Sequence, residues 1–302
     1  MLNNRFEIRN AAADDHVPVG RGHPPVLDLN VHVPDTARGV TGVDLTHIIH
    51  THDVEAARGG GGGGGGGGSG GGSSFAPYTA GPAIASAGYN ITITFNGTWT
   101  QELYDVFVSA ANQLTSIIAG DLPNVSVRNR GTVTNVDDIV ISAELGQIDG
   151  LYGVLGQAGP TAIRTSSSLP ATATMQFDIV DVNDMGLTAF SDVVLHEMAH
   201  SLGFGSIWDR LSLVSNGEFT GANAVDAYHD MGGTGFIAVE QDGGSGTAGS
   251  HWDEETFNNE LMTGYINDGE NYFTAMSAAS FADLGYQLSS NYLNYVETGY
   301  LL

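Results

Sequence analysis

Gly59 to Gly68 is an unbroken run of ten glycines, followed by Ser69, three more glycines and Ser73-Ser74. Glycine has no side chain to bury and loses the most backbone freedom on ordering, so no packed helix or strand can use such a stretch. Residues 59–74 therefore read as a Gly/Ser linker, a coil spanning about 22 Å r.m.s.. The linker separates a leader, residues 1–58, from a domain of residues 75–302 long enough to bury a core without disulfide staples.

The leader carries Pro18, Pro24, Pro25, Pro34 and scattered charge, with only short apolar stretches. It is expected to be mostly disordered, a leader or propeptide-like segment. It holds His16, His23, His32, His47, His50 and His52. The spacing His47-x-x-His50-x-His52 can in principle chelate a metal, although a solvated, removable leader is the simpler reading. Arg5, Glu7, Arg9, Asp14 and Asp15 interrupt every apolar run of the first twenty residues, unlike a signal peptide. Without Cys or Lys, and rich in Gly and Asp, the chain suits export to the cell surface or the extracellular space by a route that uses no cleaved signal. No segment reaches the ~18 apolar residues of a membrane span.

Charge narrows the partners. The net charge is −25 and all nine basic residues are Arg. Such a chain repels nucleic acid and anionic lipid, both of which are bound by clustered cations. With no Cys, thiol chemistry and Cys-type zinc fingers are excluded.

In the domain, Tyr89, Ile91, Ile93 and Phe95 alternate with polar residues, which predicts a half-buried strand. From Thr100, the apolar residues Leu103, Phe107, Ala110, Leu114 and Ile117 recur at helical spacing, with a stop at Gly120 and Pro123. Further strands are expected at Ile139–Ala143 and Met175–Val180. Strand, helix, strand, strand makes an α/β or α+β layer. The triplets at Asn90, Asn96 and Asn124 match glycosylation acceptors, but two fall on or at the end of the first strand and all three are read as chance matches.

The chemistry centres on His196-Glu-Met-Ala-His200, in a segment with Val194, Leu195, Met198 and Leu202 on an apolar side and Ser191 or Asp192 as a candidate cap. Residues four apart share one face of a helix, so His196 and His200 can hold one metal, with Glu197 beside it as a base for a water. A catalytic zinc needs a third protein ligand. Downstream histidines are His229 and His251. Glu218 lies in a turn context, Asn216-Gly217 before it and Thr220-Gly221 after it, which argues against a ligand from a second helix. In the compact pattern His-Glu-x-x-His-x-x-Gly-x-x-His, Gly203 is in place but Ser206 stands where the third His belongs.

The later segment Ser250-His251-Trp252, with Glu260-Leu-Met262 beyond it, changes the reading. Together with His196 to Trp208, Leu155-Gly-Gln-Ala-Gly-Pro160 and Ala282-Asp-Leu-Gly-Tyr286, it resembles the leishmanolysin family of zinc metallopeptidases, metzincins with an insertion before the third ligand. The resemblance covers most of residues 88–288. It implies an α+β fold with an α/β-like N-terminal half: a metzincin-type twisted mixed sheet with the active-site helix in residues 75–203, and a smaller irregular C-terminal subdomain in residues 204–302. It implies one catalytic Zn2+ on His196, His200 and His251, Glu197 as general base and Met262 in a Met-turn. Gly203 would turn the chain out of the helix.

The expected function is zinc-dependent endopeptidase action on protein or peptide substrates outside the cell, with substrate pairing along Met175–Val180 as an edge strand. The alternative is a catalytically idle, zinc-stabilised binding or adhesion module. A latency mechanism that uses a propeptide Cys is absent, and a leader His is the available substitute. Tyr265, three residues after Met262, is read as structural. Asp178, Asp181, Asn183 and Asp184 could chelate calcium, but a carboxylate-rich loop entering a helix explains them equally.

Overall fold

The computed structural model describes residues 75–297 apart from 130–131, 148–153, 243–246 and 268, together with residue 300 and two short strands, Arg5–Glu7 and Leu29–Asn30. The leader histidines and the glycine linker lie outside the described residues.

The main sheet is built from β1 (Tyr78–Ala80), β2 (Ile91–Gly97), β3 (Ile139–Gly146), β4 (Val154–Ile163) and β5 (Pro170–Asp178). β2 pairs parallel with β3, and β3 parallel with β5. β1 runs antiparallel on β2, and β4 antiparallel on β5. The order across the sheet is β4-β5-β3-β2-β1, with Leu29–Asn30 antiparallel on the outer side of β4 near Val154 and Gly156. The sheet is therefore mixed, as an α+β fold of this kind requires. A hairpin, Val125–Asn129 with Thr132–Val136, stands outside it.

Helix α1 (Gln101–Ile117) follows β2. Thr100 caps it by accepting the Leu103 N–H, and Leu103, Phe107, Ala110, Leu114 and Ile117 are all buried, as their spacing predicts. Helix α2 (Ile179–Ser201) follows β5 and packs beside α1. Phe107 of α1 meets Phe177 of β5 and Phe190 of α2 at ring-centroid distances of 5.6 and 6.1 Å, edge to face. This aromatic contact, among fully buried rings, seats the motif-bearing helix on the sheet.

Two expectations are corrected here. Met175–Val180 is not an edge strand: β5 lies between β3 and β4, with both backbone edges paired, and Ile179 and Val180 already belong to α2. Alternation marks one buried face but does not tell a central strand from an edge, and β-branched residues at a helix start look like strand. The helix cap is Asp178, which accepts the Val180 N–H at 2.8 Å, while Ser191 and Asp192 are interior. Gly186, at φ 79° and ψ 165°, breaks the helix into two, so the stretch carrying the motif begins after it.

The C-terminal part is built of short pieces. Val214–Ser215, Glu218–Phe219 and Ile237–Ala238 form a small antiparallel sheet. Helices α3 (Ala222–Asp230) and α4 (Ala275–Leu284) pack together. α3 has no cap of its own; Asp283 of α4 supplies one, accepting the N–H groups of Asn223 and Ala224 at 2.9 Å each. Phe204, Trp208, Phe219 and Trp252 form its aromatic core, with centroids 4.7 to 5.3 Å apart. Among the described residues no helix is long and apolar enough to cross a membrane. Asn90 is buried, and its amide donates to the carbonyls of Ala80 and Pro82, so that acceptor triplet is inaccessible.

Candidate metal centre

His196 and His200 lie one turn apart on α2, and both are fully buried. Their Nε2 atoms are 2.8 Å apart. After Ser201 the chain leaves the helix through Gly203 at φ 110°, a conformation only glycine adopts without strain. The turn brings the Phe204 carbonyl back onto His200. Gly205, at φ 66°, is needed for close approach as well, because a Cβ there would stand 2.1 Å from the Ser250 carbonyl oxygen. Its bare Cα lets the segment carrying His251 pack directly on the helix exit.

That approach places His251 Nε2 3.2 Å from His196 Nε2 and 3.0 Å from His200 Nε2. The three rings thus converge, as the resemblance implies. Each Nδ1 faces a backbone carbonyl: His196 with Leu261 at 2.7 Å, His200 with Phe204 at 2.8 Å and His251 with Thr247 at 3.0 Å. A carbonyl only accepts, so each Nδ1 carries a hydrogen and each neutral ring turns a bare Nε2 to the centre. Three bare nitrogens cannot hydrogen-bond to one another. Together they offer three ligand atoms of the kind that a metal ion takes. Nitrogens bound to one zinc at tetrahedral angles stand about 3.3 Å apart, and the observed triangle is a few tenths of an ångström tighter. Soft-to-borderline imidazole donors suit zinc.

Electrostatics agree. Burial, reinforced by the neighbouring imidazoles, holds His196 and His200 well below the usual histidine range. Burial also pushes His251 down to about 4. All three rings are unprotonated at neutral pH, the form that metal binding requires. Glu197 Oε1 lies 3.9 Å from His196 Nε2. Burial raises the Glu197 carboxyl well above its ordinary value, and its Oε2 has no hydrogen-bond partner among the described residues. A buried carboxylate oxygen without a donor is expensive unless something at the site engages it.

Met262 is fully buried, and its backbone serves the site. Its carbonyl accepts the Trp252 N–H at 3.0 Å, joining the turn to the residue after His251, while the preceding Leu261 carbonyl orients His196. His229 and Glu218 are not part of the group that the three histidines form. His229 is exposed, its Nε2 facing the Gly235 carbonyl at 2.8 Å. Glu218 is exposed in its short strand. Tyr265 is half-buried in the strand Tyr265–Asn267, which pairs with Arg5–Glu7. The carboxylates of Asp178, Asp181 and Asp184 do not form a ligand group, whereas Asp121, Asp137 and Asp138 do approach one another near α1. The three orienting carbonyls escape sequence reading entirely, because every residue has one.

Comparison with known proteins follows the same lines. The leishmanolysin family, peptidase M8, matches residues 131–295. A leishmanolysin homolog of Crithidia fasciculata is 30% identical over 159 residues, covering 47% of this chain and 23% of that protein. Leishmanolysin of Leishmania major is 28% identical over 185 residues, covering 56% of this chain and 30% of the relative. That of Leishmania donovani is 34% identical over 109 residues, covering 31% and 18%. The matched region therefore spans less than a third of these relatives. Because the family match takes in the whole of the site, from the motif helix through His251 to Met262, and more than half of the chain, this chain belongs to the leishmanolysin family of metallopeptidases.

Proposed function

We propose that the chain is a zinc-dependent endopeptidase in which His196, His200 and His251 hold the ion and Glu197 is the general base. The observation that carries this reading is the pairing of three converging, carbonyl-oriented Nε2 atoms with the buried Glu197 carboxylate, whose Oε2 has no hydrogen-bond partner among the described residues. Bound zinc supplies Lewis acidity, acidifying a water and polarising a peptide carbonyl. Glu197 takes a proton at its carboxylate from the attacking water as the new C–O bond forms, then returns it to the amide nitrogen as the C–N bond breaks. Its raised proton affinity suits both transfers.

An extended peptide reaches the site by pairing with the outer side of β4 beyond the stretch that Leu29–Asn30 covers at Val154 and Gly156, rather than with β5, both of whose sides are paired. Action outside the cell on protein substrates is part of this proposal. A structural zinc is usually closed by a fourth protein ligand and has no use for Glu197, which counts against an idle binding module. The test loads the protein with one equivalent of zinc and follows hydrolysis of an unfolded protein. Cleavage that a chelator abolishes and zinc restores supports the enzyme. One bound zinc without cleavage selects the binding module.

A further inference from the structure

Glu260 is fully buried, two residues before Met262. Four donors surround its carboxylate: the Met262 N–H at 2.6 Å, the Thr274 N–H at 3.2 Å, the Thr274 hydroxyl at 2.8 Å and the Ser277 hydroxyl. Both hydroxyls are committed as acceptors elsewhere. Thr274 Oγ1 caps α4 by accepting the Ser277 N–H, and Ser277 Oγ accepts the Trp252 indole N–H at 2.8 Å. Their hydrogens therefore turn toward Glu260, and every contact favours an anion, at the positive end of α4.

The network reaches the metal centre along two routes. Through Met262 it shapes the turn whose Leu261 carbonyl orients His196. Through Ser277 it holds the indole of Trp252, the residue that follows His251, and Trp252 is tied again to the Met262 carbonyl. Two histidines 55 residues apart thus take their orientation from one unit. We propose that Glu260 is the positioning residue of this centre, fixing the Leu261–Met262 turn directly and the His251 segment through Ser277 and Trp252. The proposal rests on the metal-site reading above and adds a residue that touches neither ion nor substrate.

Zinc affinity, by competition with a chromophoric chelator, and the melting temperature of the zinc-free protein are measured for wild type, Glu260→Gln, Ser277→Ala and Asp283→Ala. Asp283→Ala lies on the same helix but acts on α3, so it reports general destabilisation. Loss of an outer-shell partner weakens metal binding about 10- to 100-fold. Glu260→Gln and Ser277→Ala are expected to raise the zinc Kd at least about tenfold, with Asp283→Ala unchanged. Ser277→Ala leaves three of the four donors in place and carries the test if Glu260→Gln does not fold. Wild-type zinc affinity in both variants, with a lowered melting temperature like that of Asp283→Ala, overturns the positioning role. Failure of the wild type itself to bind one zinc overturns the metal-site reading instead.

Discussion

Gly205 and Gly235 have similar positive φ angles, 66° and 78°, but opposite surroundings. A Cβ on Gly235 meets nothing within 4 Å, whereas one on Gly205 runs into the Ser250 carbonyl at 2.1 Å. Leaving the left-handed region to a residue with a Cβ costs about 1 kcal/mol, and a clash that moves backbone adds about 1–3. Gly235→Ala is thus expected to cost about 1 kcal/mol in urea titration, and Gly205→Ala about 2–4 together with weaker zinc binding, since the displaced segment carries His251. Equal costs for the two would remove the claim that the helix exit and the His251 segment must touch. At this scale the pentapeptide is legible because helical spacing alone brings His196 to His200. His251 is not: residues 201–250 separate it from the motif, and only resemblance singles it out. The glycine at position 205 and the orienting carbonyls follow from close packing, which no local pattern records.

Among the elements, α1 can be read to its cap because an amphipathic helix writes its burial into its spacing, and every predicted core position is buried. β4 escapes sequence reading. Its Gly156, Gly159 and Pro160 argue against a strand, yet Gly159 and Pro160 lie past the residues that Leu29–Asn30 pairs with, on a side of the sheet where a missing N–H is tolerated. β5 is visible as a strand but its neighbours are not, since pairing partners are long-range. The α3 cap is a tertiary feature for the same reason: nothing near Gly221 announces that Asp283 will arrive from another helix. Asp283→Ala removes the acceptor of two backbone N–H groups and is expected to cost about 1–2 kcal/mol, read as a lowered urea midpoint at unchanged slope. An unchanged midpoint would show that solvent caps α3 equally well.

At the scale of the whole molecule, the buried triad couples folding to protons. His251 has a folded value of about 4 against an ordinary 6.5. Between those values the unfolded chain binds more protons, so the zinc-free protein loses stability from this group as pH falls from 6.5 to 4 and keeps it in full above 6.5. The loss amounts to roughly 3 kcal/mol, at about 1.36 kcal/mol per unit. Glu197, Asp138 and Asp192, raised by burial, act in the opposite sense, so the quantity to measure is the difference between wild type and His251→Asn. Stability that falls equally in both across that window would contradict a buried neutral His251.

The proposed role of Glu197 as base beside a histidine-held zinc is tested most directly by hydrolysis of an unfolded protein by zinc-loaded wild type and Glu197→Ala, with bound zinc quantified in each. The expected result is one zinc in both and a rate lower by on the order of 10²–10⁴ in the variant. A variant that holds its zinc and cuts as fast as wild type would contradict the assignment of the base.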